Sequence, residues 1–148
     1  MNLPTELRTA AWFYSQNPEN GPARMRFEDQ LAANAHPAIL VRLTDQFATL
    51  PAVAIPALQR LVDLSPNNVG YLARLGISHY MAGEDDKATS CLNRAREILP
   101  DDLEVLNLAA TLARDDDSKR AVYARMLELY PDHRAAFENL VVLRKPEE

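Results

Sequence analysis

Apolar residues recur at helical spacing along the whole chain, and prolines beside short polar residues punctuate them. After Leu3-Pro4-Thr5-Glu6, which reads as a helix start with proline in the first turn, Leu7, Ala10, Ala11 and Tyr14 share one face. Asn17-Pro18-Glu19-Asn20-Gly21-Pro22 is a dense breaker that closes this helix. A second helix is expected over about 23–34, with Met25, Phe27 and Leu31 as its apolar residues. Further helices are expected over 37–49 and 52–64. Pro51 opens the latter, and Pro56 inside it predicts a late start or a bend, because proline removes a backbone donor.

The next stretch, 69–102, carries Leu72-x-x-Leu75-Gly76-x-x-His79, then Gly83, Ala88-x-x-x-Leu92, Ala95 and Pro100. Small residues at Gly76 and Ala88 suit two antiparallel helices in close approach, with Leu75, Leu92 and Ala95 filling the seam and Gly83 turning the chain. This pattern resembles the tetratricopeptide repeat, with Leu72 for its first aromatic and His79 for its usual Tyr. Counting back 34 residues from Pro100 reaches Pro66, which makes 35–68 a second copy. In that count Ala54, Leu58 and Leu61 match Ala88, Leu92 and Ala95, whereas Val41-Arg42 fall where Leu75-Gly76 sit.

A third copy, 103–132, ends at Pro131 only 31 residues on, with Asp115-Asp116-Asp117-Ser118 as a shortened turn. Its helices carry Leu106, Ala109, Ala110 and Ala113, then Val122, Tyr123, Met126 and Leu129. A closing helix over 134–145 presents Phe137, Leu140, Val141 and Leu143. Ser65-Pro66-Asn67-Asn68, Leu99-Pro100-Asp101-Asp102 and Tyr130-Pro131-Asp132-His133 repeat one junction. In each, proline stops one helix and Asn or Asp is expected to cap the next. The fold class is therefore all-α: a solenoid of antiparallel helix pairs. Three repeats over 35–148 follow an N-terminal pair in 1–34, which reads as a degenerate repeat or cap.

Composition narrows the function. A net charge of -5 argues against nucleic acid as a partner, since neutralising phosphates needs a basic surface. No apolar run approaches the roughly 20 residues of a membrane span, and no secretory leader is apparent at the start. The single Cys91 permits no internal disulfide and suits a reducing compartment, so the cytoplasm is the expected location. HExxH, paired CxxC, P-loop, GxGxxG and GxSxG motifs are all missing. The reading is of a protein that is not an enzyme and needs neither cofactor nor metal. Cys91 is expected in the core, His79 in the seam or against a partner, and the acidic triplet 115–117 in a turn with a helix cap.

In tetratricopeptide proteins the first helices of successive repeats line a concave groove that takes a peptide or partner helix. The resemblance places that groove at Ile39, Leu43, Gln46 and Phe47, then Ala73, Arg74, Ile77, Tyr80 and Met81. Asn107, Thr111 and Arg114 follow, with Glu138, Asn139 and Val142 from the closing helix. Members that clamp a C-terminal carboxylate use Lys and Asn, where this chain has Ile39, Leu43, Ala73 and Ile77. Trp12 and Phe13 lie off the apolar stripe of their helix, which suits packing within the chain or an interface. The expected function is a protein-interaction module, an adaptor or assembly scaffold. The alternatives are a small chaperone, resembling secretion chaperones in architecture, and a self-assembling scaffold that forms a homo-oligomer through the N-terminal helix.

Overall fold

The computed structural model describes residues 2–144; Lys145 and the tail read at 146–148 lie outside this range. Nine α-helices occur among the described residues, with no strands. They are α1 (Thr5–Gln16), α2 (Gly21–Ala33), α3 (Pro37–Gln46), α4 (Pro51–Leu64), α5 (Val69–Met81), α6 (Asp85–Ile98), α7 (Leu103–Leu112), α8 (Asp116–Leu129) and α9 (Arg134–Val142). Helices α3 to α9 each pack on the next, and α5 also packs on α7. This is the all-α solenoid expected from the sequence. The hairpin α1–α2 joins it through α1 against α4. No helix among the described residues is long and apolar enough to cross a membrane.

The junctions explain where the helices stop and start. Asn68 caps α5 by accepting from the Tyr71 N–H at 3.1 Å, and Asp102 caps α7 by accepting from Glu104 at 2.9 Å. At the third junction the cap is His133, whose Nδ1 accepts from Ala136 at 3.0 Å, in place of the Asn or Asp oxygen expected there. Asn17-Pro18-Glu19-Asn20 is built the same way, and Asn20 caps α2 at 3.0 Å. Gly21 and Pro22, read as part of a breaker, are therefore the first two residues of α2. Helix α4 starts at Pro51 and continues through Pro56, correcting the expected late start. The bond lost at Pro56 is the one to the Ala52 carbonyl, near the start of the helix.

The register of the first repeat also differs from the expected one. His36 caps α3, with Nδ1 accepting from Ala38 at 3.2 Å, and so occupies the place of Asn68. Counting from these caps, Leu40, Leu43, Thr44 and Phe47 match Leu72, Leu75, Gly76 and His79, and all eight are buried. The offset is 32 residues in the first helix and 34 in the second, because α3 has 10 residues to the 13 of α5 and the connection after it is one residue longer. Phe47 and Leu43 therefore face the core rather than the outer groove. Ala73, also expected there, is buried as well.

The core is divided. One cluster runs from Leu3 and Leu7 through Phe27, Leu40, Leu58, Leu72 and Leu92 to Leu108. A smaller one joins Leu106, Met126 and Ala136 beneath α7, α8 and α9. Tyr14 stacks on Phe27 with ring centroids 5.4 Å apart, which ties α2 to α1.

Candidate functional site

A residue on a first helix reaches the outer face when it lies off the two stripes that meet its second helix and its neighbour. With the corrected register, α3 offers Val41, Arg42 and Asp45 where Ile39, Leu43 and Phe47 were expected. These three line a cavity of about 540 Å³ with Ala38, Gln46 and Tyr71. Asp45 accepts an ion-paired hydrogen bond from the Arg74 guanidinium, so the pair bridges α3 to α5. Arg74 is thus held in place within the face rather than extended for a partner.

Further along, Tyr80 from α5, Thr111 from the end of α7 and Arg114 from the turn after it come together as foreseen. With Asp85, Thr89 and Lys119 they line a largely polar cavity of about 340 Å³. The Thr111 hydroxyl donates to the Asn107 carbonyl at 2.9 Å, which fixes its orientation. Ile77 is half-buried and packs against the main core. Asn107 and Asn139 are exposed on α7 and α9 and belong to neither cavity.

Trp12 and Phe13 are each 54% exposed and meet edge to face, with centroids 5.6 Å apart. Trp12 lines a mostly apolar cleft of about 440 Å³ with Arg8, Thr9, Gln16, Gln46, Phe47 and Leu50. Phe47 and Trp12, assigned from the sequence to different surfaces, therefore border one cleft between α1 and the α3–α4 turn.

Residues with reactive chemistry are engaged structurally. Cys91 is a free, buried thiol whose pKa is pushed up by burial, with Arg94 opposing weakly. His79 is buried in the α5–α6 seam with Nδ1 3.3 Å from Glu84 Oε1. The Lys87 ammonium donates to Glu84 at 2.6 Å, and these two hydrogen bonds hold the Glu84 carboxylate below its ordinary pKa. Among the described residues, no group of three or more His, Cys, Asp and Glu is placed to hold a metal ion. Asp115 caps α8 by accepting from the Ser118 N–H at 2.7 Å and from its hydroxyl at 2.9 Å.

Residues 50–112, from the start of α4 to the end of α7, match the family model of the tetratricopeptide repeat. Helices α4 to α7 are thus similar to tetratricopeptide repeats. No curated protein matches the chain. Tetratricopeptide repeats generally mediate protein–protein contacts. The sequence reading missed Val41, Arg42, Asp45 and Tyr71 on the outer face. The signal for them was the capping residue: aligning His36 with Asn68, instead of Pro66 with Pro100, gives the observed register.

Proposed function

We propose that this protein is a non-catalytic adaptor, holding a peptide or helix of another protein along the outer face of its first helices. The observation that supports this reading most is the convergence of Tyr80, Thr111 and Arg114 on one polar opening between successive repeats. The α3–α5 cavity adds apolar surface from Val41 and Tyr71, with Arg42 and the Asp45–Arg74 pair beside it. A segment with an apolar anchor for the first cavity and hydrogen-bonding groups for the second fits both. With the corrected register, the positions that clamp a C-terminal carboxylate in some tetratricopeptide proteins hold Val41, Asp45, Ala73 and Ile77. The acid at Asp45 repels such a carboxylate.

The test is a pull-down from source-cell lysate with the intact chain and with Tyr80→Ala/Arg114→Ala. Loss of one dominant partner in the variant supports the face, and full retention refutes it. Co-expression then separates adaptor from chaperone, because a chaperone's client is insoluble without this protein. A second reading is self-association through α1, favoured by the exposure of Trp12 and Phe13. The buried free thiol of Cys91 suits the cytoplasm as the place where either acts.

A further inference from the structure

Trp12 and Phe13 form a ridge on α1 with a mostly apolar hollow on each side. Their rings meet edge to face, and each residue is about half exposed. Successive residues of a helix point in different directions, so Trp12 serves one hollow and Phe13 the other. The Trp12 side is the cleft of about 440 Å³, walled by the buried Phe47 and the half-buried Leu50. The Phe13 side is a hollow of about 240 Å³, lined by Ala10 of α1, Asn20 of the junction, and Pro22, Ala23 and Arg26 of α2.

The charges at the two hollows have one sign. Arg8 lines the first and Arg26 the second, both exposed, and among the described residues no Asp or Glu lines either. Elsewhere Arg24 pairs with Glu28, Arg74 with Asp45 and Arg125 with Asp101. Arg8 and Arg26 make no ion pair among the described residues. Glu6 lies two residues before Arg8 and so does not face it, and Asp29, one turn after Arg26, is not within ion-pair distance. In a chain of net charge -5, the aromatic ridge is thus flanked by two free cations.

We propose that this ridge docks an acidic, apolar segment of another protein, with large apolar side chains entering the two hollows and carboxylates meeting Arg8 and Arg26. Covering Trp12, Phe13 and Phe47 supplies the affinity. Ion-paired hydrogen bonds to the two guanidinium groups select the sign of the partner's charge and orient it. A second copy of this chain fits less well. A two-fold contact of the ridge with itself gathers four arginines with no acid among the lining residues, so like charges oppose it. The first hollow meets the outer face at Gln46, which also lines the α3–α5 cavity. Tyr80, Thr111 and Arg114 line neither hollow, so the proposal does not rest on the outer-face reading.

The test uses Trp12, the single tryptophan of the chain, as its own reporter, because covering an indole shifts its emission to the blue. The full chain is titrated with acetylated, amidated peptides free of tryptophan, up to about 1 mM so that weak docking registers. One is an amphipathic peptide of Leu, Phe and Glu. The second carries Lys for every Glu, and the third carries Ser for every Leu and Phe. A saturable blue shift with the first alone is expected, with affinity lowered about tenfold or more by Arg8→Glu/Arg26→Glu. Tyr80→Ala/Arg114→Ala should leave the shift unchanged, which separates this surface from the outer face. Both arginines are exposed, so circular dichroism melts of the variant should match wild type. Arg8→Gln/Arg26→Gln removes the charge without reversing it and should weaken the shift by less.

No shift with the first peptide overturns the proposal, as does a shift that survives Arg8→Glu/Arg26→Glu. An equal shift with the Lys peptide overturns the charge assignment, and an equal shift with the Ser peptide overturns docking in the hollows. Sedimentation of the chain alone that shows association, lost in Phe13→Glu, assigns the ridge to a second copy and overturns the proposal. None of these outcomes touches the outer-face reading, which fails only on its own variants.

Discussion

Gly76 on α5 lies so close to Leu108 on α7 that a Cβ at Gly76 would stand 2.6 Å from Leu108 Cδ2 and 3.2 Å from the Cβ of Cys91 on α6. Three helices meet at that one position. Leu108 can swing aside only by entering a filled core, and the Cys91 Cβ moves only with its backbone. Gly76→Val is therefore expected to destabilise the fold by about 1–3 kcal/mol, the usual cost of overpacking. Urea unfolding at neutral pH checks this, and an unchanged midpoint would show that the seam is looser than described.

The Asp45–Arg74 pair bridges α3 and α5 near solvent, with side chains 59% and 32% exposed. Screening limits such a pair to about 0–1 kcal/mol. Asp45→Ala should leave thermal stability almost unchanged while releasing Arg74 into the outer face. A partner held on that face should then show altered affinity, and an acidic peptide should bind the variant more tightly than wild type. Fluorescence anisotropy with a labelled partner peptide measures both.

Met126 is the one fully buried side chain of α8 and the centre of the small C-terminal cluster. Met126→Ala should cost about 2–4 kcal/mol, as large-to-small changes in cores do. Because that cluster shares with the main core the partly buried Val122 alone among the described residues, the loss should be local. Hydrogen exchange should accelerate in α8 and α9 and stay near wild-type rates in α4 and α5. Uniform acceleration would mean that the two clusters unfold together.

The Asp115 carboxylate is held below its ordinary pKa, first by the Ser118 backbone N–H and then by the Ser118 hydroxyl. A lower pKa in the folded state means that this cap contributes fully above about pH 4 and is lost as pH falls through the folded value. Thermal melts of wild type and Asp115→Asn should therefore differ at neutral pH and converge below about pH 4. A constant difference across that range would contradict the capping role.

Much of this architecture could be read from the chain. Leu72, Leu75, Gly76, Ala88, Leu92 and Ala95 announce a helix pair because their spacing and size satisfy a seam that each repeat must form locally. Junctions such as Leu99-Pro100-Asp101-Asp102 announce boundaries because proline and a capping side chain act within a few residues. The first repeat misled because prolines were aligned across a shorter first helix, α3, which moved Phe47 and Leu43 from the core to the surface.

The sequence by itself determined the helices, their pairing and the order of the repeats, since these follow from periodicity and capping at short range. Only the tertiary structure decided which residues of α3 face outward and that Asp45 captures Arg74. It alone also decided that Trp12 and Phe47 share a cleft. Each of these depends on how far one helix is rotated and displaced against another. That is set by summed packing across residues distant in the chain, which spacing along the sequence does not encode.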